Sequence, residues 1–251
     1  MATRRGTGTY LLVKETTPTA ETSAAVSLIP DTLPTPSERL RVRRTPIALI
    51  AGALDERLEV WLDPHGQASL KTYDAANALL ERIETGLVLV ASLGTAAEQR
   101  ALTLQLAAAL AASVRTVLLD LTGGGEPFER LLGLPAREGL GQLLRHRALD
   151  PTCPIDVLGI AQGLDILGRG VGHLALADER LWRVVADIQQ YTQLVLIAGP
   201  TVDSSEFSAL AARVDLVVLL GTHAQHERSG SHLAACKDRP IAFIATQAEA
   251  P

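Results

Sequence analysis

Aromatic residues make up 3% of the 251-residue chain, with three Phe, three Tyr and two Trp. A core built with so few rings must rely on Leu, Val, Ile and Ala. Cysteine is nearly missing as well. Cys153 and Cys236 are too few for a disulfide-stapled scaffold and are read as free thiols of a reducing compartment. No apolar run reaches the roughly 18 residues that would span a bilayer. The N-terminus lacks an apolar segment followed by a small-residue cleavage site, so no secretory signal is expected. The expected location is the cytoplasm, peripheral at the inner membrane only through a partner. Basic charge is also short: the net charge of −5 argues against nucleic acid as the main partner. What remains is the composition of a globular protein, 47% hydrophobic and 20% charged.

The apolar content is concentrated in short runs. Leu87–Val90, Thr116–Leu119, Leu194–Ile197, Leu216–Leu220 and Ile241–Ala245 are nearly continuous apolar stretches, as expected for strands covered on both faces. Helical segments separate them: Tyr73–Glu84, Ala97–Ala112, Phe128–Leu132, Gly139–Arg145, Asp178–Gln190, Ser204–Ala212 and one near Gln225–Ala235. Ile155–Leu158 and Leu164–Leu167 are further short strands. The alternation predicts an α/β domain, doubly wound, with a mostly parallel sheet and helices on both faces. Ile47–Ala51 and Leu58–Leu62 are read as early strands, with Ser69–Lys71 as a returning hairpin arm. The domain is expected to occupy residues 46–251. Residues 1–45, rich in Thr, Pro, Ser, Arg and Glu, read as a disordered tail in which Tyr10–Val13 forms a short docking segment. Arg39, Arg41, Arg43 and Arg44 form a basic knot, read as a solvated linker, with contact to anionic headgroups as the alternative.

The stretch Leu87–Ala112, LVLVASLGTAAEQRALTLQLAAALAA, is the centre of this arrangement. A strand feeding a helix through a short loop is where many α/β proteins hold a phosphate, on the free N–H groups and positive dipole end of the helix. A phosphate-cradling loop uses G-x-x-x-x-G-K-[ST]. This chain instead has Gly94, Thr95, Ala96, Glu98, Gln99, Arg100 and Ala101 there.

Six stretches resemble the cytoplasmic ATPase domains of bacterial tyrosine kinases and polysaccharide co-polymerases of the Wzc, CpsD and CapB type, relatives of MinD and ParA. Gln105–Ala111, QLAAALA, is similar to the family's NLAAALA. Thr116–Asp120, TVLLD, is similar to its VLLID, and Arg130–Leu134 with Gly139–Arg145, RLLGL and GLGQLLR, to RLLGL and GLSDVLR. Gly163–Leu167, GLDIL, resembles GLDVLPAG, Leu194–Pro200, LVLIAGP, resembles LVLIDTP, and Val214–Leu220, VDLVVLL, resembles ADGVLLV. The resemblance covers about Leu79 to Gln247 and implies a P-loop NTPase-like fold.

It also locates the departures. The family's phosphate-loop Lys falls on Gln99, the following hydroxyl residue on Arg100, and the glycines on Ala96 and Glu98. The second-strand D-x-D motif keeps Asp120 and has Thr122 for its second Asp; the third-strand Asp becomes Ala198. The family's Arg-containing ring-contact motif is not visible in Tyr73–Glu84. Its tyrosine-rich C-terminal tail is absent, the tyrosines being Tyr10, Tyr73 and Tyr191. Loss of the Lys and of two metal-ordering carboxylates removes most of the charge neutralisation on which phosphoryl transfer depends. The resemblance therefore implies a degenerate nucleotide site formed by Gly94, Thr95, Gln99, Arg100, Ala101 and Asp120. Asp120 is the one candidate catalytic residue, and no resident cofactor is expected beyond weak Mg-ATP. The implied role is a kinase-like pseudo-enzyme that docks on a membrane chain-length regulator and supports exopolysaccharide biosynthesis and export, with self-association as a further option. The alternatives are a divergent active tyrosine kinase using Arg100 and Asp120, and a ParA- or MinD-like ATPase. Asp203 and Glu206 read as helix-start carboxylates. His223, His226 and His232 are spaced poorly for a metal, and Gly123–Gly125 reads as a flexible loop.

Overall fold

The computed structural model describes residues 11–14, 42–46, 67–122, 127–132, 138–171, 174–230, 236 and 239–245. Its elements in chain order are β1 (Leu11–Lys14), β2 (Val42–Pro46), α1 (Gln67–Leu80), β3 (Gly86–Ser92), α2 (Ala96–Ala111), β4 (Thr116–Asp120), α3 (Phe128–Leu131), α4 (Leu140–Leu149), β5 (Ile155–Ala161), β6 (Leu164–Leu167), α5 (Glu179–Tyr191), β7 (Leu194–Ala198), α6 (Ser205–Ala211), β8 (Leu216–Gly221), α7 (His223–Arg228) and β9 (Ile241–Ala245). One nine-stranded sheet runs β1-β9-β8-β3-β7-β4-β6-β5-β2. The five central strands β9, β8, β3, β7 and β4 are parallel throughout. β6 continues the parallel run beside β4. Antiparallel pairing occurs at β5–β6 and at β1–β9.

The continuous apolar runs are explained by the two faces they serve. Successive side chains of a strand point to opposite sides. Along β3, Leu87, Leu89 and Ala91 enter one core with α5 and α6, while Val88 and Val90 enter a second core with α1 and α2. Every residue of β4, β7 and β8 is buried. α5 shows the helical counterpart: Leu181, Val184, Val185 and Ile188 recur on one stripe and are all buried, and Asp178 caps the helix by accepting from Arg180 N.

Three readings are corrected. Ser69–Lys71 is not a hairpin arm but part of α1, which begins at Gln67 and ends at Leu80. Three residues of alternation carry little strand signal, whereas Ala76 and Leu79 share a buried helical stripe whose cluster includes α2 residues. α7 starts earlier than expected, at His223. Thr222 caps it: its Oγ1 accepts from Gln225 N at 3.3 Å, and Gln225 Oε1 accepts from Thr222 N at 2.7 Å. The T-x-x-Q signature of that box is present at Thr222–Gln225. Strand structure also falls within the stretch read as a tail. Leu11–Lys14 pairs with β9, and Val42–Pro46 pairs with β5, with Arg43 in register with Asp156. The second half of the basic knot is thus a sheet edge and not a linker. Four- and five-residue edge strands owe their state to the partner strand, so their own residues announce little. Ile47–Ala51, Leu58–Leu62, Gly123–Gly125 and residues 231–235 lie outside the described residues.

Candidate functional site

The C-terminal ends of β3, β4 and β7 meet beside the start of α2, the position at which open α/β sheets present ligand sites. The chain leaves β3 through Ser92, whose Oγ accepts from Gly94 N at 2.9 Å and holds a tight turn. Gly94 is half-buried and Thr95 is exposed. Thr95 occupies the N-cap of α2 without a side-chain capping bond, and its carbonyl accepts from Gln99 N at 3.2 Å. The helix is already wound at Ala96, across positions where a phosphate loop would have its glycines. The cause is local: Ala-Ala-Glu-Gln-Arg-Ala strongly favours helix, and residues with a Cβ resist the positive φ that a cradle requires.

Gln99 is 1% exposed and faces inward. Its Nε2 donates to Val90 O at 3.0 Å and to Gly199 O at 2.9 Å, tying α2 to the ends of β3 and β7. Gly199 N also donates to Val90 O. A side chain used this way is unavailable to a phosphate. Arg100, 5% exposed, turns toward β4, where its Nη2 donates to Thr122 Oγ1 at 3.0 Å. Thr122 Oγ1 in turn donates to Asp120 Oδ1 at 2.6 Å, and Thr122 N donates to the same oxygen at 3.0 Å. Arg169 closes the chain from the loop after β6, donating from Nη1 to Thr122 O. Asp120 is 1% exposed. Burial pushes its carboxyl above the ordinary value, partly offset by the two Thr122 hydrogen bonds and by the Arg100 and Arg169 charges. Ala198 stands in register with Asp120 on β7 and has no side-chain oxygen.

The structure thus gathers Gln99, Arg100 and Asp120 at one corner, with Gly94 and Thr95 at its rim and Ala101 half-buried one position further along α2. Asp203 is exposed in the turn before α6, and Glu206 lies in the first turn of that helix, capped by Ser204. His226 stacks on Phe243 at 4.4 Å between ring centroids. His232 lies outside the described residues. Arg169 was missed at the sequence level; an Arg two residues past the end of β6, the strand beside β4, was the available signal. The residues present do not fit Mg-ATP in the usual manner. Magnesium takes hard oxygen ligands, and among the described residues this corner offers the Asp120 carboxylate with the Thr122 hydroxyl, the latter already bonded to it.

The central parallel sheet, with β3 feeding α2 through this turn, defines a P-loop NTPase-like α/β fold. Solved structures with that fold include the VpsO kinase domain, 23% identical over 72% of this chain and 97% of that one, with a TM-score of 0.58. The kinase domain of the Escherichia coli tyrosine kinase ETK is 15% identical over 77% of this chain and 82% of its own, with a TM-score of 0.60. A ParA family ATPase from Chlorobium tepidum is 14% identical over 66% and 76%, with a TM-score of 0.53. At these identities the likeness is one of fold. No protein-family model matches the chain, and no curated protein matches it. Among the described residues no helix is long and apolar enough to cross a membrane.

Proposed function

We propose that this chain is a catalytically degenerate, kinase-like subunit that works through its surface. In this reading it acts in the cytoplasm, docks on a membrane chain-length regulator and supports exopolysaccharide biosynthesis and export. The observation that carries the reading is the inward fold of Gln99. The residue at the family's Lys position spends both amide N–H groups on the carbonyls of Val90 and Gly199. The site has converted a ligand-facing position into a strut between strands. The start of α2 and the missing carboxylate at Ala198 support the same reading. The VpsO and ETK neighbours, both kinase domains, are consistent with a kinase-derived scaffold.

The test is calorimetric titration of the intact protein with Mg-ATP, alongside hydrolysis and autophosphorylation assays. No saturable heat and no turnover are expected, while deletion of the protein lowers exopolysaccharide output. Gln99→Lys, Arg100→Ser and Ala198→Asp together are expected to raise nucleotide affinity. One observation favours the competing reading of a divergent active enzyme: the hydrogen-bonded series Arg100–Thr122–Asp120 is an organised charged group at the strand ends. ATP turnover by the unaltered protein that survives Gln99→Ala and is lost in Asp120→Ala or Arg100→Ala would establish that reading instead.

A further inference from the structure

An open cleft of mixed polar and apolar lining lies at the opposite pole of the sheet, where β4 and β6 begin and α2 ends. Its volume is about 600 Å³, within the range of small-molecule sites. The last turn of α2, Arg115, Gln162, Gly163 and Asp165 line it.

Arg115 is the pre-organised element. Its guanidinium stacks over the Tyr191 ring at 3.8 Å. Its Nη2 donates to Tyr191 Oη and lies 3.5 Å from Asp165 Oδ2. Tyr191 Oη donates to the same carboxylate oxygen at 3.0 Å. Asp165 is 1% exposed and anchors both groups, whereas the Arg115 side chain is 41% exposed. Among the described residues, Arg115 Nε and Nη1 make no hydrogen bond. A guanidinium held over a ring, tethered at one corner and open on the rest, has already met much of the ordering cost of binding a planar anion.

The surroundings set the charge of that anion. Asp165 and the negative end of the α2 dipole oppose a dianion. Gln162 and the Ser113 hydroxyl, both exposed, offer neutral hydrogen bonds beside the fork. The geometry points to a binding site for a small monocarboxylate bearing hydroxyl or amide groups, with Arg115 as its recognition residue. A free sugar acid and an acidic side chain of a partner protein share that chemistry. The site lies away from the Gln99–Asp120 corner, so it stands or falls independently of the nucleotide reading.

The experiment is a titration of the isotope-labelled full chain followed by backbone amide shifts. The probes are D-glucuronate, N-acetylglutamate amide, glucose and inorganic phosphate. Saturable shifts at Ser113, Arg115, Gln162 and Gly163 are expected with a carboxylate probe, and glucose and phosphate should bind about tenfold more weakly. Tighter binding of glucuronate assigns the site to a sugar acid, and tighter binding of the glutamate derivative to a partner's side chain. Arg115→Gln should cost about tenfold in affinity and Gln162→Ala a smaller factor. Arg145→Gln, the same charge change on the exposed face of α4, should cost nothing. If Arg115→Gln does not fold, Arg115→Lys decides: it keeps the charge and lacks the fork, so undiminished affinity rejects the site. The inference is also overturned if neither carboxylate gives a saturable shift at about 50 mM, if phosphate binds as well, or if Arg145→Gln is as damaging as Arg115→Gln.

Discussion

Asp120 and Ala198 are register partners on the neighbouring parallel strands β4 and β7, both buried and both on the sheet face covered by α2. The pair carries a single side-chain carboxylate, that of Asp120. Ala198→Asp would place a second carboxylate against Asp120 in a water-poor corner. An uncompensated buried charge of this kind costs about 3–5 kcal/mol. The expected outcome is a large loss of stability in urea denaturation, partly regained in millimolar Mg²⁺ if the two oxygens then share a cation.

Gln99→Ala should also destabilise the fold. It removes two buried hydrogen bonds, leaves Gly199 O without its amide donor and opens a small void. The expected loss is about 2–3 kcal/mol, read as a lower denaturation midpoint with unchanged slope. A side chain serving only as a vestige of a ligand site would change stability little.

The Asp120 carboxyl predicts a pH effect of defined sign. Burial raises its folded value above the unfolded one. Between those two values the folded state holds more protons than the unfolded state, so this group's contribution to stability falls as pH rises through the window. Above it the penalty is constant. Asp120→Asn removes the penalty while keeping an oxygen to accept from Thr122. The variant should be more stable than the parent at neutral pH, with the advantage disappearing below the ordinary carboxylate range. Thermal unfolding across pH checks this.

Gly163 ends the tight β5–β6 connection with φ +81°, and a Cβ there would lie 2.5 Å from Ala111 O. Backbone strain and the clash with backbone combine in Gly163→Ala, for which a loss of about 2–3 kcal/mol is expected in chemical denaturation. Because Gly163 lines the cleft at the opposite pole of the sheet, the same variant should disturb amide shifts at Ser113 and Arg115.

The residues themselves announced the centre of this fold. Leu87–Val90, Thr116–Leu119, Leu194–Ile197, Leu216–Leu220 and Ile241–Ala245 are apolar at consecutive positions because both faces of each strand meet helices, and that demand is written locally. The periodic stripe of α5 was legible for the same reason. The resemblance of Gln105–Ala111 set Gln99, and that of Leu194–Pro200 set Ala198, at positions to inspect.

Neither edge strand was legible, since Leu11–Lys14 and Val42–Pro46 become strands through hydrogen bonds that β9 and β5 supply. What Gln99 does was equally out of reach, because its amide finds Gly199 O across 100 positions of chain. Arg169 meets Thr122, and Arg115 meets Asp165 and Tyr191, by the same means. Composition and periodicity determined which residues are buried and in which elements, since those depend on neighbours a few positions away. Side-chain partnership depends on which strand ends lie side by side in three dimensions. Only the order of strands in the sheet decided that, and with it the chemistry at both poles.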